Sequence, residues 1–336
     1  MTEQQSQPVA VSGDDTILPF QLDRLNVRGR VARLDATIDT ILSQHNYPPA
    51  VSGLVAEATL LTALIGQTIK LRDRFSIQVR GKGGAVTMLA TDYFAPASEG
   101  EPAVMRAYAA YDAEKLGDGK GIELLGEGLM GVTIDQGTGH PYQGVTPLTG
   151  ASLADCAEVY FAQSEQIATR FALASAQSQE PGQPVNWRAG GVVLQHLPDA
   201  SPLMDRGPDA PGDGGTNLMT GDDVAALTGE GDDWRTAALK LETVEELELL
   251  GPLITSEQLL VRLFHEDSPR IYPAQAVTFG CTCGAEKLEG VLSSYDRAAL
   301  SEMVEDGNIT ADCQFCGTQY VFTLEQLIEG GASPQS

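Results

Sequence analysis

Positive charge is scarce in this chain. It has 21 Lys and Arg against 46 Asp and Glu, a formal net charge of -25. Such a surface repels a phosphate backbone, whose binding needs cations that displace counterions, so no nucleic-acid partner is expected. Long apolar runs are missing too: none reaches 18 residues, and no membrane span or membrane partner is expected. Residues 1–15 carry neither the basic nor the apolar stretch of a secretory signal and read as a disordered lead. Histidine is rare, at four. His45, His140 and His196 stand apart from any nucleophile motif, and His265-Glu266 begins like H-E-x-x-H but has Pro269 where the second His belongs. No catalytic residue and no enzyme activity are expected.

Cysteine is also rare, at five, and that makes its placement informative. Four of the five fall in two tight pairs, Cys281-Thr282-Cys283 and Cys313-Gln314-Phe315-Cys316, separated by the 29 residues from Gly284 to Asp312. Two short pairs across a modest spacer build a tetrahedral four-thiolate zinc site, each pair supplying two ligands from one turn. One zinc per monomer is expected on Cys281, Cys283, Cys313 and Cys316. The C-x-C pair is tighter than the usual C-x-x-C. Its disulfide would close a small, strained ring that is easily reduced, which makes the cluster a candidate redox switch as well as a structural clip. Zinc-held sulfurs are thiolates, the form that oxidants attack. Such pairs belong to a reducing compartment, so a cytoplasmic location is expected. Cys156 lies far upstream on an apolar pattern and reads as a buried, inert thiol.

The rest of the chain reads as an α+β fold, a mostly antiparallel sheet with packed helices. Val27 to Leu34 alternates like a half-exposed strand; Phe75–Val79, Ala85–Tyr93, Val104–Tyr111, Leu129–Asp135 and Tyr142–Leu148 are short strand-like runs joined by Gly-rich turns. Ala50 to Lys70 has helical 3-4 spacing. Ser152, with Asp155 three residues on, opens a predicted long helix whose apolar face runs through Leu153, Cys156, Tyr160, Ile167 and Phe171. Gly126 to Gly131 matches G-x-G-x-x-G, but Val132 to Asp135 directly after it look like a strand rather than a helix, so a dinucleotide site is not expected. Trp187 to Gly191 reads as inward aromatics and glycines at a tight turn. From Asp199 to Asp233 the chain is rich in Asp and Gly with one basic residue, Arg206, and reads as a flexible acidic insertion. Helical patterning resumes from Trp234 to Phe264, with Leu247, Leu250, Leu253, Leu259, Leu260 and Leu263 as apolar positions. The divisions are therefore 1–15 lead, 16–198 core, 199–233 insertion, 234–275 helical linker and 276–336 zinc module.

Together these segments resemble the redox-regulated 33-kilodalton heat-shock protein family of chaperones. The resemblance runs through Pro19-Phe20-Gln21, Val27-Arg28-Gly29-Arg30, His45-Asn46-Tyr47-Pro48, Tyr142-Gln143-Gly144-Val145, the Tyr160–Gln166 and Trp187–Gly191 stretches and Arg262-Leu263-Phe264-His265-Glu266. It ends on the four paired cysteines. It implies a substrate-binding core, a metastable linker folded over it and a zinc module that is inactive when reduced. It also implies that oxidation forms the disulfides Cys281-Cys283 and Cys313-Cys316, releases zinc, unfolds the linker and exposes apolar surface. The implied partners are unfolded client proteins, a second copy of the chain when oxidised, and ATP-dependent foldases downstream. Two other readings of the cysteines stand beside it: a zinc ribbon that binds nucleic acid, opposed by the charge, and a thiol oxidoreductase using Cys313 and Cys316, for which no thioredoxin-like βαβ context precedes the pair.

Overall fold

Alternating and β-branched runs dominate the first half, and in a computed structural model they form one large sheet. The structure describes residues 12–69, 71–179, 185–197 and 231–330. Most of the acidic insertion and the first eleven residues of the lead lie outside them. The chain runs through β1 (Thr16–Leu22), β2 (Val27–Leu34), α1 (Ala36–Ser43), α2 (Pro49–Thr68), β3 (Arg74–Gly83), β4 (Val86–Phe94), β5 (Ala103–Tyr111), β6 (Gly126–Asp135) and β7 (Tyr142–Pro147). It continues through α3 (Leu153–Tyr160), β8 (Thr169–Ser178), β9 (Asn186–His196), α4 (Asp232–Glu242), α5 (Glu246–Leu250) and α6 (Ser256–Phe264). It ends with β10 (Arg270–Ile271), β11 (Gln275–Phe279), α7 (Ala285–Leu292), α8 (Arg297–Glu302), β12 (Asn308–Asp312), β13 (Gln319–Thr323) and α9 (Leu324–Gly330).

The sheet order is β7-β6-β3-β4-β5-β11-β1-β2-β9-β8, with β10 paired to β1. Every pairing in it is antiparallel except β11 with β5, where Val277 to Phe279 run parallel to Ala103 to Met105. That strand returns the chain from the linker to the middle of the sheet, and the segment from residue 276 that the sequence divides off begins inside it. Asp14 and Asp15, read in sequence as lead, are likewise fixed: Asp14 pairs with Arg188 at 2.7 Å, and the Asp15 carboxylate accepts from the amides of Asp35, Ala36 and Thr37 at the start of α1.

One face of the sheet closes on α2. This helix is buried nearly all round, from Val51 and Leu54 through Leu61 and Leu64 to Ile65, as a helix in the middle of a core must be. By length and composition α2 would suffice to cross a bilayer, but 78% of that stretch is buried inside the protein. The opposite face is apolar over β1, β2 and β9, where paired residues stack Leu18 on Val31 and Val31 on Val192. Helices α4 to α6 cover it with Trp234, Leu241, Leu249, Leu260, Leu263 and Phe264, and Phe264 stacks on Phe20 at 6.0 Å between ring centroids.

Three expectations change. The helix from Ser152 stops at Tyr160, followed by a π-turn over Phe161–Glu165 and a left-handed Gln166, so Ile167 and Phe171 are not on it; Phe171 belongs to β8. The Ser152–Asp155 capping box does form, with the Ser152 hydroxyl accepting from the Asp155 amide at 3.1 Å. Trp187 to Gly191 lie inside β9 rather than at a turn. Gly190 is small there because the carbonyl of Leu249 in α5 would come within 2.0 Å of any Cβ. Leu247 and Leu253 are 65% and 81% exposed, since the linker is three short helices rather than one continuous amphipathic stripe.

Candidate metal centre and its seat on the sheet

The second cysteine pair sits at a tight turn and the first in an extended segment after a strand. Cys281 and Cys283 follow β11 directly, and Cys313 to Cys316 form the turn between β12 and β13. In this turn, the Cys313 amide donates to the Thr318 carbonyl at 2.9 Å and the Gly317 amide to the Cys313 carbonyl at 2.8 Å. Gly317 has a φ of +64°, which a Cβ would resist, and this lets the chain turn back directly after the pair.

The fold brings all four sulfurs within 4.8 Å of one another, a group that could hold a metal ion. Cys281 and Cys313 are 3.6 Å apart and Cys283 and Cys316 3.4 Å, so these short contacts run between the pairs. Zinc–sulfur bonds of about 2.3 Å place tetrahedral sulfurs about 3.8 Å apart. The donor set, four soft sulfurs, and its spacing both fit such an ion. The Tyr320 hydroxyl donates to Cys283 Sγ at 3.2 Å, and Cys316 Sγ lies 3.2 Å from the Thr318 hydroxyl. Without a metal the thiols diverge. Burial above all pushes Cys313 up to about 12, whereas Cys316, although burial pulls the other way, is held down to about 7 by the Thr318 hydroxyl and amide and by its sulfur neighbours.

The module around the cluster has a small apolar centre of Leu300, Ile309, Phe322 and Leu327. It meets the sheet on the β4–β5 face. The Gly280 amide donates to the Met105 carbonyl at 3.0 Å, and the ring of Phe315, inside the C-x-x-C turn, meets Tyr108 edge-on at 4.9 Å. The Arg106 guanidinium donates to Asp92 at 2.7 Å, to the Thr282 hydroxyl at 3.0 Å and to Cys281 Sγ at 3.8 Å, with the Phe315 ring 4.0 Å from its Cζ.

Arginine also fixes the linker. Arg33 of β2, 5% exposed, donates to the carbonyls of Glu248 at 2.8 Å and Leu249 at 3.2 Å and to that of Ile254. Arg188 of β9 donates to the Leu250 carbonyl at 3.2 Å while pairing with Asp14 and Asp35. These two side chains satisfy the carbonyls at the C-terminal end of α5, which no further helical turn would satisfy. None of Arg33, Arg106 or Arg188 has a functional reading from sequence. The one signal they carry is composition: each is an arginine amid strand residues in a chain poor in positive charge.

Other sequence candidates fall elsewhere. Cys156 is fully buried, and its thiol donates to the Thr149 carbonyl at 2.9 Å; burial pushes it up, as for an inert thiol. The glycines of the G-x-G-x-x-G match lie in β6, where Gly128 lets the Arg80 carbonyl approach, and they hold no helix N-terminus for a phosphate. His265 and Glu266 sit in a short 3-10 turn, with Glu266 paired to Lys240 at 3.4 Å.

Comparison with known proteins agrees with this architecture. The family described as Hsp33 protein matches residues 15–323. A 33 kDa chaperonin of Caulobacter vibrioides is 36% identical over 316 residues, covering 91% of this chain and 94% of that protein. One of Azotobacter vinelandii is 34% identical, covering 94% of each. A crystal structure of the 33 kDa chaperonin of Thermotoga maritima, 19% identical, superposes with a TM-score of 0.69 over 94% of this chain and 97% of that one, which shows the same fold. The chain belongs to the Hsp33 family.

Proposed function

We propose that this Hsp33-family chaperone is a redox-regulated holdase, which binds unfolding proteins without ATP and is silent while reduced. Its relatives are named chaperonins, which is not a class of enzyme. The observation that carries the reading is the pairing of an oxidisable four-sulfur cluster with an apolar sheet face that lies under short helices. Leu18, Phe20, Val31, Val192 and Leu194 would bind exposed apolar segments of a client, and α4 to α6 cover them.

Cys281, Cys283, Cys313 and Cys316 are assigned as the ligands of one zinc ion. When bound, zinc keeps the four sulfurs as thiolates and contributes much of the folding free energy of so small a module. Oxidation removes the donor set. Once the module loosens, the sequence neighbours, Cys281 with Cys283 and Cys313 with Cys316, have the shortest tethers and the highest effective concentration, so the disulfides form within the pairs. Helices α4 to α6 then lose the support of the ordered segment after them and uncover the sheet face, while the net charge keeps the open form soluble. A dimer of the oxidised chain, transfer of clients to ATP-dependent foldases and a cytoplasmic address complete the reading, on family resemblance.

The test is light scattering of a thermally aggregating client with reduced, zinc-loaded and peroxide-treated protein. Suppression by the oxidised form alone is expected, with disulfides inside each pair by peptide mass spectrometry. Equal protection by both forms would leave the cluster a structural clip, and dominant cross-links between the pairs would refute the pairing.

A further inference from the structure

Arg106 contacts both cysteine segments. Its side chain is 11% exposed and lies on the module-facing side of β5. Nε is taken by Asp92, itself 6% exposed in its side chain and also bonded to the Ser76 hydroxyl. Nη1 faces the first cysteine segment, at Thr282 and Cys281, and the guanidinium plane carries Phe315 of the second. Phe94 packs 5.1 Å away. The arrangement sets one delocalised cation between a buried carboxylate and the sulfur cluster, two centres that would otherwise repel. Lysine could neutralise charge there, but it could not present a flat face to Phe315 while donating in-plane to two anionic groups.

We propose that Arg106 is the positioning residue that seats the reduced cluster on the β4–β5 face, by reading the charge on the Cys281 sulfur, and that converting this sulfur to a disulfide releases the module from that face. The inference rests on the redox reading above. With a peroxide as oxidant, two thiolates give up two electrons and form one S–S bond. The O–O bond breaks, and its two oxygens leave as two waters after taking up two protons. The disulfide sulfur is uncharged and a poor acceptor, so Nη1 loses an anionic partner while the Asp92 pair stays intact. The module is then left with the neutral Thr282 and Phe315 contacts to Arg106 and the end of β11, where Gly280 bonds Met105.

The test uses full-length, reduced, zinc-loaded protein. Hydrogen exchange is measured in residues 276–284, which join the module to β5, and zinc content is read with a chromogenic chelator. Arg106→Gln should keep its zinc yet exchange roughly tenfold faster in that segment, the scale of one charge-assisted contact plus a cation–π contact. Arg106→Lys should recover part of the protection. Peroxide should speed exchange there in the wild type and add little further in Arg106→Gln. Unchanged exchange in reduced Arg106→Gln, or no recovery with lysine, would overturn the proposal. If Arg106→Gln does not fold, Phe315→Ala decides, since it leaves the Asp92 pair in place: faster exchange with zinc retained supports the seat, and wild-type exchange overturns it. Failure of the oxidised wild type to protect a client would instead sink the holdase reading, and the reduced-state comparison would still judge Arg106.

Discussion

Around α2, side chains from both halves of the sheet close on a helix buried nearly all round, with Phe75, Ile38, Leu54, Leu60, Leu61 and Leu64 fully enclosed. Among the described residues the cysteine module instead has a small buried apolar cluster of its own, Leu300, Ile309, Phe322 and Leu327. The body can be held by burial, at roughly 1.5–3 kcal/mol per large side chain. The module has little apolar area of its own to offset its chain entropy, and a metal held by its four sulfurs would supply what burial does not. One chain thus joins a region held by apolar burial to one that, on the proposed reading, depends on the state of its sulfurs.

Metal removal should separate the two regions most strongly. Structural zinc is worth about 10–16 kcal/mol in apparent terms, so chelation should abolish exchange protection in 281–327 and leave α2 protected. Hydrogen exchange with and without chelator checks this, and protection that persists in the module would mean its apolar centre suffices.

The converse is Leu61→Ala. Leu61 is fully buried in the α2 core, and truncation should cost about 3–4 kcal/mol of body stability with one zinc still bound. Denaturant titration with zinc quantitation measures it, and metal loss in the folded variant would show that body and module are not separable.

The smallest effect concerns pH. If the turns stayed folded without metal, Cys316 would be held down to about 7 by Thr318 and its sulfur neighbours and Cys313 pushed up to about 12 by burial, so Cys316 would react at a lower pH than Cys313. If chelation unfolds the module, both should return to the ordinary cysteine value of about 8.5. Alkylation rates of each thiol against pH, read by mass spectrometry after chelation, should therefore superimpose. A persistent gap between Cys316 and Cys313 would show that the turns stay folded without metal.

Local patterns make much of this legible. Alternation locates β2 to β7, and 3-4 spacing locates α2, because one residue type repeated along a short segment suffices for each. The helix from Ser152 reads too long because Ile167 and Phe171 continue its apolar rhythm, whereas the π-turn and the left-handed Gln166 end it through backbone geometry that spacing does not encode. Gly190 reads as a turn residue because a glycine forced by an approaching α5 carbonyl looks the same in sequence.

The sequence by itself determined the sheet-and-helix class, the acidic surface and which four cysteines belong together, since composition and spacing are properties of neighbours along the chain. Only the tertiary structure decided what those cysteines face. Asp92, Arg106 and Phe315 meet because β11 carries the chain back beside β5, and Arg33 and Arg188 find linker carbonyls roughly 60 to 220 residues away in sequence. Hydrogen bonds and ion pairs act over a few ångströms in space, and no pattern along a strand reports which distant segment will arrive there.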